Sequence, residues 1–350
     1  MSEKIKIICC KVSSVLICML LFQFSFAQYN FKELDAKLEQ NKKALGNNVV
    51  TIIYKNGKII YNKKMGEFDE KTQAPIASCS KWLTAALIMQ FVDEGKITLE
   101  SKVSDYLPIY ASFGKKYITI RHCLAHLTGI ESKKGLAAIL ENGKYTTLEE
   151  QVNDFAKKEI RANAGTDFYY GGIGLNIAAR VLEVISKKNF EQLMNMKLLR
   201  PLNMRSTNFS STNGRSVNPS GGAVSTALDY TNFLSMILNK GMYNGKRILS
   251  EASIEQMQTP QMTKSMIAYA PAAAENSDYG LGEWIQEKDA NGKAIVVSSP
   301  GLFGTWPLID NCRGYTCIFF VKSFLNGETK RELYMDMKVS IDKEIATTCQ

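Results

Sequence analysis

The chain has 350 residues, 45% of them hydrophobic and 22% charged. That balance excludes a fibrous or wholly disordered chain and leaves room for one large domain or two lobes sharing a core. Its formal charge is +9, but lysines and arginines are scattered without a stripe, so no nucleic-acid partner is expected.

The first segment reads as a leader. Lys4, Lys6 and Lys11 precede the apolar run Val12 to Ala27, which closes on Ser25-Phe26-Ala27. A basic start, an apolar stretch and small residues at the last and third-last positions predict a signal peptide over 1–27, cleaved before Gln28. The product is expected to be periplasmic or secreted. The run is shorter than the ~20 residues that a membrane span needs, so no stable anchor is expected after cleavage. Cys18 follows Ile17 rather than a small residue, which argues against lipid attachment. Cleavage removes three lysines and one glutamate and lowers the charge from +9 to +7. Cys79, Cys123, Cys312, Cys317 and Cys349 remain, too few and too dispersed for a disulfide scaffold. A Cys312–Cys317 bridge stays open.

Asn30 to Leu45 has the apolar spacing of an amphipathic helix. Val49 to Tyr54 and Ile59 to Tyr61 flank an Asn56-Gly57 pair, a strong hairpin signal. A helix is expected from Ser78 to about Glu94, stopped by Gly95. Further helices are expected over Thr119–Leu127, Thr147–Lys158, Gly174–Lys187, Phe190–Leu199 and Thr226–Asn239. Strands return at Tyr279–Gln286, Ile295–Ser299, Thr305–Asp310 and Tyr315–Lys322, and Lys330–Thr347 closes as a helix. Strands far apart in sequence, bracketing a helical insert, predict an α+β fold. Its antiparallel sheet is flanked by the first and last helices, with an inserted all-α lobe. The sheet lobe would take about 28–77 and 242–350, the helical lobe about 78–241.

The chemistry centres on Ala74-Pro75-Ile76-Ala77-Ser78-Cys79-Ser80-Lys81. Ser78 falls at a helix start, and Lys81, three residues on, shares its face. A serine hydroxyl needs an adjacent base, which a lysine with a depressed pKa can be. The helix N-terminus adds free N–H groups suited to an oxyanion. The pattern S-x-x-K recurs at Ser112/Lys115 and Ser340/Lys343, which read as solvated polar pairs. Cys79 is a weak rival nucleophile, having no histidine close in sequence.

His122 and His126 are the two histidines, spaced as zinc ligands on a helix. Cys123 stands where a general-base glutamate would follow, so one packed and one exposed histidine is the plainer reading. No metal and no cofactor is expected. No G-x-S-x-G elbow presents a serine to a histidine, and phosphate-binding glycine loops are absent.

Ser78-Cys79-Ser80-Lys81 with the helix behind it resembles the first motif of the serine β-lactamase/penicillin-binding protein superfamily. The likeness is to the branch of class C-type enzymes, D-alanyl peptidases and family VIII-type esterases. Four further stretches, running to the C-terminal strands, follow in that branch's order. These are Thr119–Gly129, Phe168-Tyr169-Tyr170-Gly171-Gly172-Ile173-Gly174, Gly221–Asp229, and Tyr279–Gly282 with Ser299–Gly304. The resemblance implies Ser78 as acylated nucleophile, Lys81 as its base and Tyr170 as the proton shuttle. The backbone N–H groups of Ser78 and Leu302 would form the oxyanion hole, with Gly172, Ser299 and Gly301 lining the substrate. Gly172 stands where asparagine is usual, and Ser299 where lysine or histidine is usual. A hydroxyl cannot supply the charge that fixes a β-lactam or D-Ala-D-Ala carboxylate.

An exported serine hydrolase acting on an ester or amide is therefore the first expectation, and an esterase fits Ser299 best. A D-alanyl-D-alanine peptidase or weak β-lactamase is the alternative, with Arg313 or another cation restoring the charge. A non-catalytic sensor or binding protein is the reading from another class. The expected partner is a small ester, amide or cell-wall peptide.

Overall fold

The computed structural model describes residues 29–133, 137, 143–210, 214–274, 276–323 and 330–349. The expected leader, 1–27, lies outside them. The chain divides into Met1–Asn30, of which only Tyr29 and Asn30 are described, and Phe31–Gln350, to which all that follows refers.

In chain order the elements begin with α1 (Lys32–Gln40), β1 (Val49–Lys55), β2 (Lys58–Met65) and β3 (Ala74–Pro75). A helix-rich stretch follows: α2 (Cys79–Asp93), α3 (Val103–Tyr106), α4 (Ile109–Ser112), α5 (Ile120–Leu124) and α6 (Leu148–Lys157). After β4 (Phe168–Tyr169) come α7 (Ile173–Ser186) and α8 (Phe190–Met194), which runs into a π turn over Asn195–Leu199. Next are β5 (Val224–Ser225), α9 (Ala227–Leu238), β6 (Met242–Tyr243), β7 (Lys246–Arg247), α10 (Glu251–Met257) and β8 (Ile267–Tyr269). The chain closes with β9 (Asp278–Tyr279), β10 (Trp284–Lys288), β11 (Ala294–Ser298), β12 (Trp306–Asp310), β13 (Tyr315–Val321) and α11 (Arg331–Glu344).

Seven strands form one sheet in the order β2-β1-β13-β12-β11-β10-β9, every pair antiparallel. Lys55 pairs with Lys58, leaving Asn56 (φ +50°) and Gly57 (φ +79°) as a two-residue loop. Two successive left-handed residues match the twist of the flanking strands, so the Asn-Gly pair makes the expected hairpin.

Alternation along β13 divides the two faces. Ile318 and Phe320, with Val50, Ile52, Val297 and Ile309, join one core with Trp82, Phe91 and Phe233 of the helices. On the other face Trp306 stacks on Tyr334 of α11 at 4.8 Å, and Phe319 lies 5.4 Å from the same ring. The first and last helices thus cover one face, as expected. Helix α9 was expected within the helical lobe, but it packs on the opposite face of the sheet, against β1, β12 and β13. A sheet whose central strands are apolar on both sides needs that second cover.

Helix α2 is mostly apolar and buried on every side from Cys79 to Phe91. Such a helix belongs at the centre of a fold, where each large side chain contributes roughly 1.5–3 kcal/mol on burial. It stops at Gly95 (φ +67°), where Gly95 N–H donates to Val92 O and Lys96 N–H to Phe91 O. Those bonds satisfy the last carbonyls of the helix.

Several expected boundaries change. The strand expected over Tyr279–Gln286 breaks into β9 and β10, because Gly282 (φ +85°) turns the chain against α2. A Cβ there would stand 2.4 Å from the Ala85 Cβ. The helix expected over Thr119–Leu127 ends at Leu124, and the closing helix ends at Glu344. Cys317 is buried within β13 with a free thiol, while Cys312 pairs with Cys349. The turn after β12 faces the C-terminal tail, where Thr348 N–H donates to Cys312 O at 2.7 Å.

Candidate active site

Ser78 sits immediately before α2 in helical conformation and makes no side-chain cap bond, so its hydroxyl is not spent on the helix. Instead Lys81 Nζ donates to Ser78 Oγ at 3.0 Å, and also to the backbone carbonyl of Ser220 at 2.9 Å. Lys81 is only 5% exposed while Ser78 is half-buried, so the amine lies deeper than the serine. The other two S-x-x-K pairs do not meet. Lys115 is buried and donates to Ala156 O at the end of α6 (2.8 Å). Ser340 and Lys343 both turn to Glu33, and Ser340 is buried. Neither pair is merely solvated, as their sequence suggested, but each cation is spent on a helix end or an ion pair.

The helix start is held from several sides. Ala77, just before Ser78, has φ +45°, a conformation that costs an alanine roughly 1–2 kcal/mol. Its neighbours hold it there: Ile76 N–H donates to Ala223 O (3.0 Å) and Cys79 N–H to Ile76 O (3.1 Å). Ser80 Oγ accepts from Ala223 N–H at 3.0 Å, and Tyr230 Oη donates to Cys79 O at 2.8 Å. Strain held at a site by its surroundings is a mark of function.

Tyr170 closes the group. Lys81 Nζ stands 4.8 Å from its ring centroid, and the ring packs between His126 (4.6 Å) and Trp284 (5.2 Å). Tyr169 points elsewhere, its hydroxyl on Glu131 (3.3 Å) and its ring under Arg161. The two adjacent tyrosines thus part where β4 ends, and Tyr170, the one the motif resemblance selected, is the one that lies beside Lys81. His126 is the packed histidine and His122 the half-buried one. His126 shares a 3.0 Å hydrogen bond with Tyr279 Oη, and burial together with the Lys81 charge holds its pKa well below the usual range. It is therefore neutral, and the amine over the Tyr170 ring is that of Lys81. Among the described residues no cluster of three potential metal ligands exists.

The loop after β11 lies against the helix start. Ser299 is buried and donates to Ser78 O at 3.2 Å, so its hydroxyl ties the loop to the site. A Cβ on Gly301 would stand 2.4 Å from Ile76 O, and only a bare backbone allows that approach. Gly301 N–H is taken by Thr305 O (2.8 Å). The N–H groups of Ser78 and Leu302 donate to no other group among the described residues, and both residues are half-buried. Free backbone amides are the donors that a tetrahedral oxyanion needs.

Arg313 does not reach this site. It lies in the turn joining β12 to β13, against Asp310 (3.4 Å) and Asp342 (3.5 Å). That turn is a strand length, about 17 Å, from Gly301–Thr305. Ser220, whose carbonyl holds Lys81, precedes the Gly221–Asp229 motif by one residue and was not singled out in the sequence. Nor was Trp284. Only the preceding Pro219 and the following glycine pair hinted at a fixed turn.

A Beta-lactamase family model matches residues 35–338. The chain belongs to that family. Its fold is that of the β-lactamase/transpeptidase-like serine hydrolases. The chain is similar to the crystal structure of a β-lactamase candidate from Bacteroides dorei, with 27% identity, TM-score 0.80, and 90% and 99% of the two chains covered. It also shares its fold with EstCE1, described as a hydrolase with promiscuous acyltransferase activity. There the identity is 17%, the TM-score 0.73, and the coverage 89% and 99%. Protein flp of Staphylococcus aureus is 27% identical over 180 residues, 47% of this chain and 35% of flp. The matched stretch therefore spans about a third of that relative's length.

Proposed function

We propose that this protein is an exported serine hydrolase that cleaves an ester or amide through an acyl-enzyme on Ser78. The observation that carries the reading is the 3.0 Å hydrogen bond between Ser78 Oγ and Lys81 Nζ at a strained helix start. Ser78 Oγ attacks the substrate carbonyl and passes its proton to the Lys81 amine, which serves as the base. The oxyanion forms against the N–H groups of Ser78 and Leu302 and collapses with loss of the leaving group, which takes a proton relayed through Tyr170. Water then repeats the sequence on the acyl-enzyme and restores the serine.

Ser299 favours an ester without an obligatory carboxylate, because its hydroxyl is tied to Ser78 O and carries no charge. With Arg313 held by Asp310 and Asp342, that residue does not replace the absent cation. Export is supported by the leader pattern at 1–27 and by the Cys312–Cys349 bridge, since disulfides persist in oxidising compartments.

The test pairs a fluorophosphonate probe and a fluorescent penicillin with hydrolysis of p-nitrophenyl esters, on wild type and Ser78→Ala. Wild type takes the fluorophosphonate at Ser78 and turns over esters, and Ser78→Ala does neither. Tyr170→Phe retains labelling but loses roughly 10²–10⁴ in ester turnover, the usual contribution of a positioned acid–base group. Labelling by penicillin alone would move the assignment to the peptidase reading. Absence of all labelling and turnover would move it to a non-catalytic binding protein.

A further inference from the structure

Two strips of chain meet beside Tyr170 and enclose a cavity that the acyl-transfer chemistry does not use. Gly171 follows Tyr170, and a Cβ on it would stand 2.5 Å from Ser132 Oγ. The bare backbone of Gly171 is what lets the strip carrying Ser132 pass this close. Arg161 N–H donates to Gly129 O (2.8 Å), and Ile130 bridges Ile160. The strip that carries Ser132 is therefore pinned to the strip that carries Arg161. A cavity of about 720 Å³ opens along them, with Tyr169 in its wall. That volume is in the range of small-molecule sites.

The polar groups of the cavity are mostly donors. Ser132 lines it at 7% exposure, and its hydroxyl bonds no group among the described residues. A hydroxyl that deep is costly to leave unpaired. Arg161, on the facing strip, is fixed in place. Its guanidinium carbon lies 5.2 Å from the Tyr169 ring centroid, and Nη2 donates to Asp167 Oδ2 at 2.9 Å. Tyr169 is itself held by Glu131 (3.3 Å) and by the ring of Tyr269 (5.2 Å). A guanidinium has five donors, and those of Arg161 beyond the Asp167 bond meet no acceptor among the described residues. Lys133 and Lys158 also line the cavity, which sets three cations against the carboxylates of Glu131 and Glu159. Glu131 is already engaged by Tyr169. An excess of cations, a fixed guanidinium and an unpaired hydroxyl together suit a carboxylate.

We propose that this cavity is a substrate-anchoring site, in which Arg161 and Ser132 bind a carboxylate remote from the scissile bond. The substrate class is an ester or amide with a carboxylate at the far end of one arm. The proposal rests on the acyl-enzyme reading above and gives the cation absent at Ser299 a counterpart, reached past Gly171. A site built to pair with an anion disfavours a neutral analogue, because its donors are left unpaired.

Two series of esters test this, each acid compared with its own methyl ester. The first carries the carboxylate on the acyl arm: the mono-p-nitrophenyl esters of glutarate, adipate and pimelate. The second carries it on the leaving group: the O-acetyl esters of ω-hydroxy acids of the same lengths. Wild type is expected to favour the acid over its methyl ester by at least about tenfold in kcat/KM in one series, the scale of one charge-assisted hydrogen bond. The series that shows the preference identifies the arm that enters the cavity. Added salt weakens the preference, since Arg161 is partly exposed. Arg161→Gln and Ser132→Ala lose most of it through the KM of the acid, and Arg161→Lys retains more than Arg161→Gln. Equal losses on acid and methyl ester would reduce the two residues to a structural role and overturn the proposal. Wild-type turnover without preference in either series would overturn it as well. No wild-type turnover of any ester would instead overturn the hydrolase reading beneath it.

Discussion

Glu283 is fully buried beside the turn that brings β10 to α2, and neither of its carboxylate oxygens has a hydrogen-bond partner among the described residues. Burial pushes its pKa well above the ordinary value of 4.5. The folded protein therefore holds it as the neutral acid, while the unfolded chain releases the proton above about pH 4.5. Stability from this group is present at low pH and is lost as pH rises toward the folded-state pKa, by about 1.4 kcal/mol per pH unit. Glu283→Gln removes that slope. It should raise Tm at pH 8 by more than at pH 5, and a pH series of melting curves on the two proteins reads the difference. A Tm gain that is flat with pH would mean the carboxyl is already ionised at pH 5. The neutral His126 beneath Tyr170 has the opposite sign, since its depressed pKa withdraws stability as pH falls below the ordinary histidine range.

At the scale of elements, the site depends on three backbone segments approaching more closely than side chains permit. Gly282 meets α2, Gly301 meets Ile76, and Gly172 meets Ser220. The Gly301 contact is to a main-chain carbonyl, which cannot move without displacing Ala77 and Ser78. Gly301→Ala is therefore expected to cost about 1–3 kcal/mol in stability, the usual price of overpacking. It should also cut fluorophosphonate labelling of Ser78 by more than tenfold, because Leu302 N–H moves with the loop. The comparison control is Gly292→Ala. That glycine also has positive φ (+82°), but nothing lies within 4 Å of its Cβ position. It should shift Tm through backbone strain while leaving labelling unchanged.

Across the whole molecule, stability and chemistry are concentrated at different ends of the sheet. The candidate site lies where β11 leads into the 299–305 loop. Lys338, 2% exposed, pairs at the far end of β12 with the fully buried Asp310 (2.9 Å) and with Asp342 (2.6 Å). The Cys312–Cys349 bridge pins the tail beside this cluster and closes a sequence separation of 37 residues. Cross-linking a loop of that size stabilises by roughly 2–4 kcal/mol. Cys349→Ser should lower the denaturant midpoint accordingly without changing the rate at which Ser78 is labelled. A matching fall in labelling would mean that the two ends are coupled through β12.

Local patterns carried much of this protein. Asn56-Gly57 dictates its hairpin because two left-handed residues are needed there and few others tolerate them. The apolar sequence of α2 places that helix at the centre, and three-residue spacing puts Lys81 on the face of Ser78. The ordered motifs led to the same family as the 35–338 match. Contacts between distant segments were not legible. Cys312 and Cys317 are near in sequence, yet strand geometry buries Cys317 and turns Cys312 toward the tail. Tyr169 and Tyr170 are alike in composition and only the motif order favoured Tyr170, which the end of β4 places beside Lys81 while Tyr169 turns to Glu131. Gly172 read as a missing asparagine until the 218–222 turn brought Ser220 Oγ into its place. The sequence by itself brought Ser78 and Lys81 together, because the two share one helical turn. Only the tertiary structure decided what surrounds them, because those groups come from distant segments, Ser299 from 221 residues away, whose meeting depends on packing.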